Sequence, residues 1–366
     1  MEFRVESRFF RRSEVNNLST GRGLIPEWEE QASVFVAWPT ADGDFAPWLQ
    51  EVEATYLAIA RAVADRQDLL VAVASDAHQA HVRATLLRGG VARDRVHCIV
   101  MPYDDIWVRD TAPLSVVHQG RLAYLDFRFN AWGGKYDCAE DQQIARRLHA
   151  SDFLEEGPLV AVDFVLEGGS VETDGAGTLM TTTRCLLNPN RNPKASKAEI
   201  EAVLRDHLGG EHVLWLDEGH AEGDDTDAHI DTLARFCAQD VMAYTACDDE
   251  EDPLYASFSR MAHALEDFTN HRGERYQLVP LPMPSPILSE EGGRLPATYA
   301  NFLIINGAVL VPVYGDPADD TAMARLGRVF KDRTLIPINC LPLIRQYGSL
   351  HCMSMQFPKY GVGKGG

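Results

Sequence analysis

Short apolar runs alternate with segments of helical periodicity along almost the whole chain. Runs that are rich in Val, Ile, Thr and aromatic residues and bounded by turn residues predict β-strands. On this basis we predict strands at residues 34–38, 69–75, 96–101, 122–129, 162–166, 178–187, 213–216, 230–236, 241–246, 276–281, 302–305, 309–313 and 334–338.

Six segments carry apolar residues at helical spacing and predict α-helices, at residues 48–64, 77–88, 139–148, 196–207, 254–270 and 317–330. The last segment follows Asp316, which we expect at the N-cap, with Pro317 at the first helical position. Because strands and helices alternate throughout, the sequence predicts an α/β fold.

No linker rich in Pro, Gly or Ser and no block of like charge divides the chain, so we predict one compact domain over residues 24–358. Residues 1–23 are polar and Arg-rich and predict a loosely ordered N-terminal extension, and residues 359–366 predict a flexible tail. The longest apolar stretch, residues 302–313, is too short to cross a bilayer and predicts two buried strands joined by a turn.

The amino-acid composition and net charge exclude several classes of function for this protein. The chain has 366 residues, of which 45% are hydrophobic and 24% charged, the balance of a globular protein. Its net charge of -20 argues against nucleic acid and anionic membranes as partners and favours small cations. The seven scattered cysteines contain no CxxC pair and no apolar secretion signal is visible, so we expect a reducing cytoplasm.

Four segments place reactive side chains beside glycines or at predicted strand ends. They are residues 104–113 (DDIWVRDTAP), residues 166–170 (LEGGS), residues 224–231 (DDTDAHID) and residues 347–352 (YGSLHC). Each alone also fits an ordinary structural role: a solvated acidic turn, a hairpin, a hydrogen-bonded surface His or a buried Cys.

Taken together, a Cys, a His and several carboxylates form a coherent chemical set. A thiol protease needs an oxyanion hole and one orienting group, and it has no use for a cluster of acids. Carboxylates near a thiol raise its pKa by repulsion, unless a bound cation cancels their charge. A guanidinium is the best candidate for that cation, because it is planar and has five N–H donors that two carboxylates can clamp.

A longer set of motifs runs through nearly the whole chain: PEW at 26–28, WP at 38–39, WVRDTAP at 107–113, FNAWGG at 129–134, LEGGS at 166–170, CLLN at 185–188, NRNP at 190–193, HID at 229–231, YANFLI at 299–304 and LHC at 350–352. Through these motifs the sequence resembles the agmatine deiminases and bacterial peptidyl-arginine deiminases, of the guanidine-modifying (pentein) superfamily. The resemblance implies that residues 24–358 form one catalytic domain, an α/β propeller of five ββαβ units around a central active site.

The resemblance also implies functions for single residues. Cys352 is the expected nucleophile, and His229 is the expected acid and base. Glu167 is expected to orient His229, and Asp110 and Asp231 are expected to clamp the guanidinium. The implied reaction hydrolyses agmatine to N-carbamoylputrescine and ammonia through a covalent S-alkylthiouronium, with no metal and no organic cofactor.

The substrate and the assembly stay open. Trp107, Asp104 and Asp225 are candidates for holding the distal amine of agmatine, whereas arginine or peptidyl-arginine would need a basic partner, for which Arg235 is a candidate. Ala228 and Tyr347 stand where the family commonly has Gly, so a non-catalytic protein that binds a guanidine or a polyamine is a third alternative. A small cationic guanidine is the expected partner, and a homo-oligomer is compatible with the sequence.

Overall fold

The computed structural model describes residues 23–220 and 223–360. The strands in this part of the chain are β1 (Gln31–Ala37), β2 (Asp68–Val73), β3 (Val96–Val100), β4 (Leu114–His118), β5 (Arg121–Arg128), β6 (Leu159–Val165), β7 (Glu172–Thr173), β8 (Thr178–Thr182), β9 (His212–Leu216), β10 (Ala234–Ala238), β11 (Val241–Ala246), β12 (Gln277–Pro282), β13 (Leu303–Ile305), β14 (Ala308–Val313), β15 (Thr334–Asn339) and β16 (Ser354–Pro358).

The helices are α1 (Leu49–Ala64), α2 (Asp76–Arg88), α3 (Ala131–Gly134), α4 (Ile144–His149), α5 (Thr183–Leu186), α6 (Lys197–Leu208), α7 (Tyr255–Asp267), α8 (Ala318–Val329) and α9 (Leu341–Ile344). The predicted α/β class is therefore confirmed. None of the helices in the described residues has the length and apolar character needed to span a lipid bilayer.

The strands form five separate sheets that share one pairing pattern. Each sheet pairs two strands antiparallel and adds a third strand parallel to the second, after a crossover that contains a helix. The first sheet also has a fourth strand, β3, which is parallel to β2. The strand orders are β16-β1-β2-β3, β4-β5-β6, β7-β8-β9, β10-β11-β12 and β13-β14-β15. In the first sheet the antiparallel partner of β1 is β16, so the two ends of the described chain meet there.

Helix α1 shows how the sequence builds these layers. Its buried residues Val52, Tyr56, Ile59 and Val63 recur at helical spacing and form one apolar face. The Tyr56 hydroxyl donates a hydrogen bond to the carbonyl of Ala37, 2.8 Å away, and so ties this face to the end of β1.

Most predicted elements are confirmed within a few residues, including the two buried strands β13 and β14 in the long apolar stretch. The strand predicted at 178–187 is wrong beyond residue 182. There the Thr182 hydroxyl accepts the Cys185 N–H and starts α5. The strand predicted at 230–236 begins only at Ala234, because residues Ile230–Thr232 form a 3-10 turn.

Three strands were not predicted: β4, β7 and β16. The helix predicted at 139–148 is a 3-10 turn followed by the short α4, and Pro317 occupies the N-cap that we expected for Asp316. Asp316 still accepts the Ala318 N–H at 2.8 Å, so its capping hydrogen bond is shifted by one position.

The two predicted terminal segments lie mostly outside the described residues, which exclude 1–22 and 361–366. Lys359 and Tyr360 lie inside them and are held in place. The Lys359 N–H donates to the Glu30 carbonyl at 2.8 Å, and the Tyr360 hydroxyl donates to the Gly120 carbonyl at 2.7 Å. The prediction of a flexible tail from residue 359 is therefore wrong for these two residues.

Candidate active site

The predicted catalytic side chains lie on loops of one kind. Each loop leads into the strand that begins the antiparallel pair of a sheet, and all five such loops contribute: Asp110 before β4, Glu167 before β7, His229 and Asp231 before β10, Asn301 before β13 and Cys352 before β16. All six residues are buried. The repeated pairing pattern therefore delivers a polar side chain at the same point of every sheet.

Gly169 lies at the centre of this cluster. A methyl carbon added to it would lie 2.7 Å from His229 Nδ1, 3.0 Å from Asp110 Oδ1 and 3.1 Å from Asp231 Oδ2. Its N–H donates to Asp110 Oδ1 at 2.8 Å. The side chains can converge only because residue 169 has no side chain of its own.

The Cys352 sulfur faces an amide and a carboxylate. Its Sγ lies 3.3 Å from Asn301 Nδ2 and 3.9 Å from Asp231 Oδ2. Burial and then the charge of Asp231 raise the pKa of this thiol well above its usual range. A cation bound beside Asp231 would offset both effects and favour the thiolate.

His229 lies between two carboxylates without bonding to either. Its Nδ1 is 3.7 Å from Asp110 Oδ1, and its Nε2 is 4.0 Å from Glu167 Oε2. Three buried atoms here, His229 Nε2, Glu167 Oε2 and Asp231 Oδ1, have no hydrogen-bond partner in the described part of the chain. Buried polar atoms are normally paired, so a ligand with several N–H donors would complete the site.

Asp110 is fixed from two sides. Trp132 Nε1 donates to its Oδ2 at 2.8 Å, opposite the bond from Gly169. Trp132 reaches it because the short segment α3 has left-handed backbone, with φ of 52° at Trp132. Burial raises the pKa of Asp110, and the carboxylates of Asp231 and Glu167 add to the rise, while nearby His229 opposes it.

Several partners of these residues were missed by the sequence reasoning. Arg191 donates through Nε to Glu167 Oε1 at 2.8 Å and also binds Asp227. Arg191 lies within the NRNP motif, but nothing in the sequence pairs that motif with Glu167. Asn301, within the YANFLI motif, was missed in the same way.

A second set of buried charges lies on the other side of Asp231, and we call it the buried ion network: Glu27, Arg109, Glu172, Arg235 and His351. Arg235 binds Glu172 through Nε, donates to Glu27 Oε2 at 2.9 Å and donates to the Phe302 carbonyl at 2.7 Å. The guanidinium of Arg235 is committed to these contacts, so it is a wrong candidate for holding a substrate carboxylate.

The three predicted substrate-tail residues each have protein contacts of their own. The Trp107 ring packs 6.0 Å from Phe45, and Asp104 Oδ2 accepts the Glu140 N–H at 2.8 Å. Asp225 accepts the Tyr136 hydroxyl at 2.6 Å.

Tyr136 connects Asp225 to the cluster. Its ring packs edge-on at 5.9 Å from Trp132, the residue that donates to Asp110. Two side chains, those of Tyr136 and Trp132, therefore connect Asp225 to Asp110.

Ala228 and Tyr347 both have left-handed backbone, with φ of 66° and 64°. This conformation is least strained for Gly. The backbone therefore explains why the resembled family commonly has Gly at these two positions. Ala228 is buried, whereas 43% of Tyr347 is exposed.

Glu167, Cys185 and His229 are a set that could hold a metal ion. Their ligand atoms all lie within 4.8 Å of one another, and all three residues are buried. Glu167 and His229 also carry the unpartnered Oε2 and Nε2, which lie 4.0 Å apart, so an ion held by these two atoms would occupy the space that a guanidine ligand would use.

Comparison with known proteins identifies the family. Residues 23–358 match the profile of the Porphyromonas-type peptidyl-arginine deiminase family. The chain belongs to that family. Among its relatives is an agmatine deiminase from Pseudomonas aeruginosa (strain LESB58), which is 33% identical over 361 residues that span 92% of this chain and 96% of the relative.

Solved structures of similar proteins agree with this membership. A substrate-bound cysteine-to-serine variant of C. jejuni agmatine deiminase superposes with a TM-score of 0.85 at 36% identity, covering 92% of this chain and 96% of that one. Agmatine deiminase of Enterococcus faecalis superposes with a TM-score of 0.84 at 29% identity, covering 94% and 97%. As a member of the family, this protein is a hydrolytic guanidine-modifying enzyme.

Proposed function

We propose that the protein deiminates a small guanidine, agmatine, at Cys352. The observation that carries the proposal is a buried thiol beside three buried, unpartnered polar atoms, two of them carboxylate oxygens of Glu167 and Asp231. A planar guanidinium offers N–H donors in the directions that carboxylates accept. Relatives that are named agmatine deiminases cover more than nine-tenths of the chain.

The proposed reaction begins with Asp110 and Asp231 holding the guanidinium. Its positive charge counteracts the repulsion that raises the pKa of Cys352, so the thiol can give its proton to His229, and the resulting thiolate attacks the central carbon. His229 donates a proton to the departing nitrogen, which leaves as ammonia, and an S-alkylthiouronium remains on Cys352. His229 then takes a proton from water, which attacks the same carbon, breaks the C–S bond and releases the ureido product.

Glu167 is proposed to bind the guanidinium as well as to face His229. Its Oε1 is held by Arg191, so its position is fixed, while its Oε2 stays open toward His229 Nε2. A carboxylate fixed in this way is ready for the ligand without rearrangement, which lowers the barrier to reaction. No metal and no organic cofactor enters this scheme.

Acidic side chains predominate around Tyr136, where one of them, Asp225, is already paired with Lys135 at 3.1 Å, and this excess of acid favours a substrate with a distal amine over one with a carboxylate. Tyr136 bonds to Asp225, and the charge of Asp105 also acts on it. Burial first, and then the nearby acids Asp141, Asp44 and Asp104, raise the pKa of Asp105 to about 8. An ammonium group would stabilise the ionised form of such a carboxylate, whereas a substrate carboxylate would disfavour that form. We therefore retain Trp107, Asp104 and Asp225 as proposed tail residues and add Asp105.

We also propose that the five sheets are arranged as a pseudo-fivefold propeller around this site. Two observations support this arrangement. All five sheets contain the same antiparallel-then-parallel pairing, and each one supplies a side chain to the cluster around Gly169 and Cys352 from the loop before the strand that begins its antiparallel pair.

The test is release of ammonia from the purified protein when it is offered agmatine, arginine, Arg-terminated peptides and simple alkylguanidines. Agmatine should be turned over with the highest kcat/KM. A preference for the carboxylate-bearing compounds would instead support an arginine or peptidyl-arginine deiminase, and no turnover of any guanidine would refute the proposal.

The matched control is Cys352→Ser, which changes one atom of the proposed nucleophile. A hydroxyl is far less ionised than a thiol near neutral pH, so this variant should bind agmatine in calorimetry and release no ammonia. Ordinary turnover by Cys352→Ser would mean that another residue is the nucleophile.

A further inference from the structure

The imidazole of His351 is enclosed by two carboxylates. Its Nδ1 lies 2.7 Å from Asp231 Oδ2, and its Nε2 lies 2.8 Å from Glu27 Oε2. The side chain is buried and directly precedes Cys352 in the chain. His351 belongs to the LHC motif, and the proposed reaction does not use it.

These two contacts determine the charge of the ring. An ionised carboxylate only accepts hydrogen bonds, so both ring nitrogens must carry a hydrogen, and the ring is then an imidazolium. The charges around it agree with this state: the three carboxylates of Glu27, Glu172 and Asp231 are balanced by Arg109, Arg235 and a charged His351. A neutral ring would leave one buried negative charge uncompensated.

The main effect of this contact falls on Asp231. His351 holds Asp231 Oδ2, which leaves Asp231 Oδ1 without a partner and available to a ligand. Burial alone would raise the pKa of Asp231, but the hydrogen bond and charge of His351, together with the charges of His229 and Arg235, lower it. Asp231 therefore stays ionised although it is fully enclosed.

A second effect falls on Cys352. Asp231 Oδ2, the oxygen bound to His351, lies 3.9 Å from Cys352 Sγ. A bare carboxylate at that distance disfavours the thiolate, and a cation on the same oxygen reduces this repulsion.

We propose that His351 is a positioning residue, an imidazolium that aims Asp231 at the guanidine and offsets the negative charge of Asp231 beside the Cys352 sulfur. The inference concerns the same site as the proposed deiminase function. It rests on that function, because the orientation of Asp231 matters only if a guanidine binds there. The groups that face His351 are Asp231 and Glu27 at its ring and Arg109, whose Nε donates to its carbonyl, with Arg235 and Glu172 behind Glu27 and Cys352 next in the chain.

The first test reads the charge of the ring in the unmodified protein and does not depend on turnover. Nitrogen-15 NMR of the histidine side chains at pH 8 should show both ring nitrogens of His351 protonated, because each of them donates to a carboxylate. The signals are assigned by their loss in His351→Asn or His351→Gln, or by the shift of one nitrogen in Glu27→Gln. A neutral His351 ring at pH 8 would overturn the proposal.

The second test separates orientation from charge with two neutral variants. The amide nitrogen of Asn takes the place of Nδ1 and can still donate to Asp231, whereas that of Gln takes the place of Nε2 and can donate only to Glu27. Alkylation of Cys352 by neutral iodoacetamide, followed by mass spectrometry of that cysteine, should have its pH midpoint about one unit higher in both variants, because each has lost the cation.

Agmatine kinetics then report the orientation of Asp231. Only the Asn variant keeps a donor on Asp231 Oδ2, so the KM for agmatine should rise about tenfold more in His351→Gln than in His351→Asn, the ratio expected for one hydrogen bond to a charged group. Equal KM values in the two variants would contradict the positioning function.

The control is Glu172→Gln, which removes a charge from the same buried ion network at the Arg235 end without touching His351. It should lower thermal stability and leave the Cys352 alkylation profile unchanged. If the His351 variants lose stability like Glu172→Gln and their alkylation profiles also stay unchanged, His351 is merely structural and the proposal fails. If the protein turns over no guanidine, the proposed function fails, while the NMR and alkylation results still decide the state of His351.

Discussion

Both carboxylate oxygens of Asp110 are engaged by neutral N–H donors, one from Trp132 and one from Gly169. These bonds fix the direction of the carboxylate but do not neutralise it, and its raised pKa shows that burial and neighbouring acids act against its charge. A cation that enters the site would offset this destabilisation of the ionised carboxylate, so Asp110 is suited to bind a positively charged ligand.

Asp110→Asn should raise the KM for agmatine and lower kcat/KM by about 10- to 100-fold, because a charge-assisted hydrogen bond is lost and an amide hydrogen then faces one of the two N–H donors. Since only the ionised carboxyl binds a cation, wild-type kcat/KM should fall as the pH drops through the raised pKa of Asp110, and this acid limb should shrink in the variant. Steady-state kinetics against pH give both quantities. Unchanged kinetics would remove Asp110 from the site.

The cluster of Glu167, Cys185 and His229 leads to a prediction about metals. Dialysis against a chelator should leave the deiminase rate unchanged, because the proposed reaction uses no metal. Added Zn²⁺ should inhibit in competition with agmatine, since a thiolate and an imidazole are ligands that zinc prefers.

The matched variant is Cys185→Ala, which removes one zinc ligand and leaves the proposed catalytic residues in place. It should keep the agmatine rate and need about tenfold more Zn²⁺ for half inhibition, the loss expected for one ligand contact. A rate that drops on chelation would contradict the metal-free scheme.

The β4–β5 hairpin shows at the level of elements why some strands escape sequence prediction. Its two-residue turn is Gln119–Gly120, and both residues have positive φ, 50° and 71°. Such turns are usually marked by Asn-Gly or Asp-Gly. Gln at the first position hides the turn, so the apolar run of β4 appeared to be part of the preceding loop.

Gln119→Asn should raise the free energy of unfolding by about 0.5–1 kcal/mol, because Asn tolerates left-handed backbone better than Gln. The side chain is exposed, so shortening it removes few packing contacts. Gln119→Val is the opposite control and should lower it by about 1–2 kcal/mol, since a β-branched side chain strains this conformation. Urea titration measures both. A Gln119→Asn variant that is less stable than wild type would refute the argument from turn strain.

For the other elements, the accuracy of the prediction also depends on whether an element's own residues determine it. Helices with a clear apolar face, such as α1, and strands with long apolar runs, such as β14, were predicted well because their own residues determine them. The two-residue strand β7 was missed because it is too short to carry a pattern.

The residues of the site also fall into two groups, those that the sequence predicts and those that only the folded chain reveals. Cys352, His229 and the carboxylates were expected from their chemistry and the family resemblance, and the structure places Asp110, Asp231 and His229 around Gly169. Their partners Glu27 and Arg191 could not be inferred, since only the folded chain brings Glu27 to His351 and Arg191 to Glu167.

In the molecule as a whole, five sheets of one pattern arise from a chain in which no repeat is visible. The backbone pairing recurs, but each sheet packs different neighbours and each loop carries a different functional side chain, so selection on the side chains need not preserve any sequence identity between the sheets. Pairing topology is for this reason the part of the fold that the sequence pattern reveals least.

The net charge of -20 is also a property of the whole molecule. It should draw a cationic guanidine toward the site, and salt should screen this attraction, so kcat/KM for agmatine should fall severalfold between low and high ionic strength. Alkylation of Cys352 by neutral iodoacetamide is the matched control and should not respond to salt. A kcat/KM that is constant or rises with salt would show that the surface charge does not steer the substrate.

The partnership of β1 and β16 has a consequence for biosynthesis. Val36 pairs with Ser354, so a strand made early by the ribosome has an unprotected edge until almost all of the described chain has been translated. Cys352 lies two residues before the strand that covers this edge. The nascent polypeptide therefore gains its reactive sulfur and covers the open edge of β1 in the same late step.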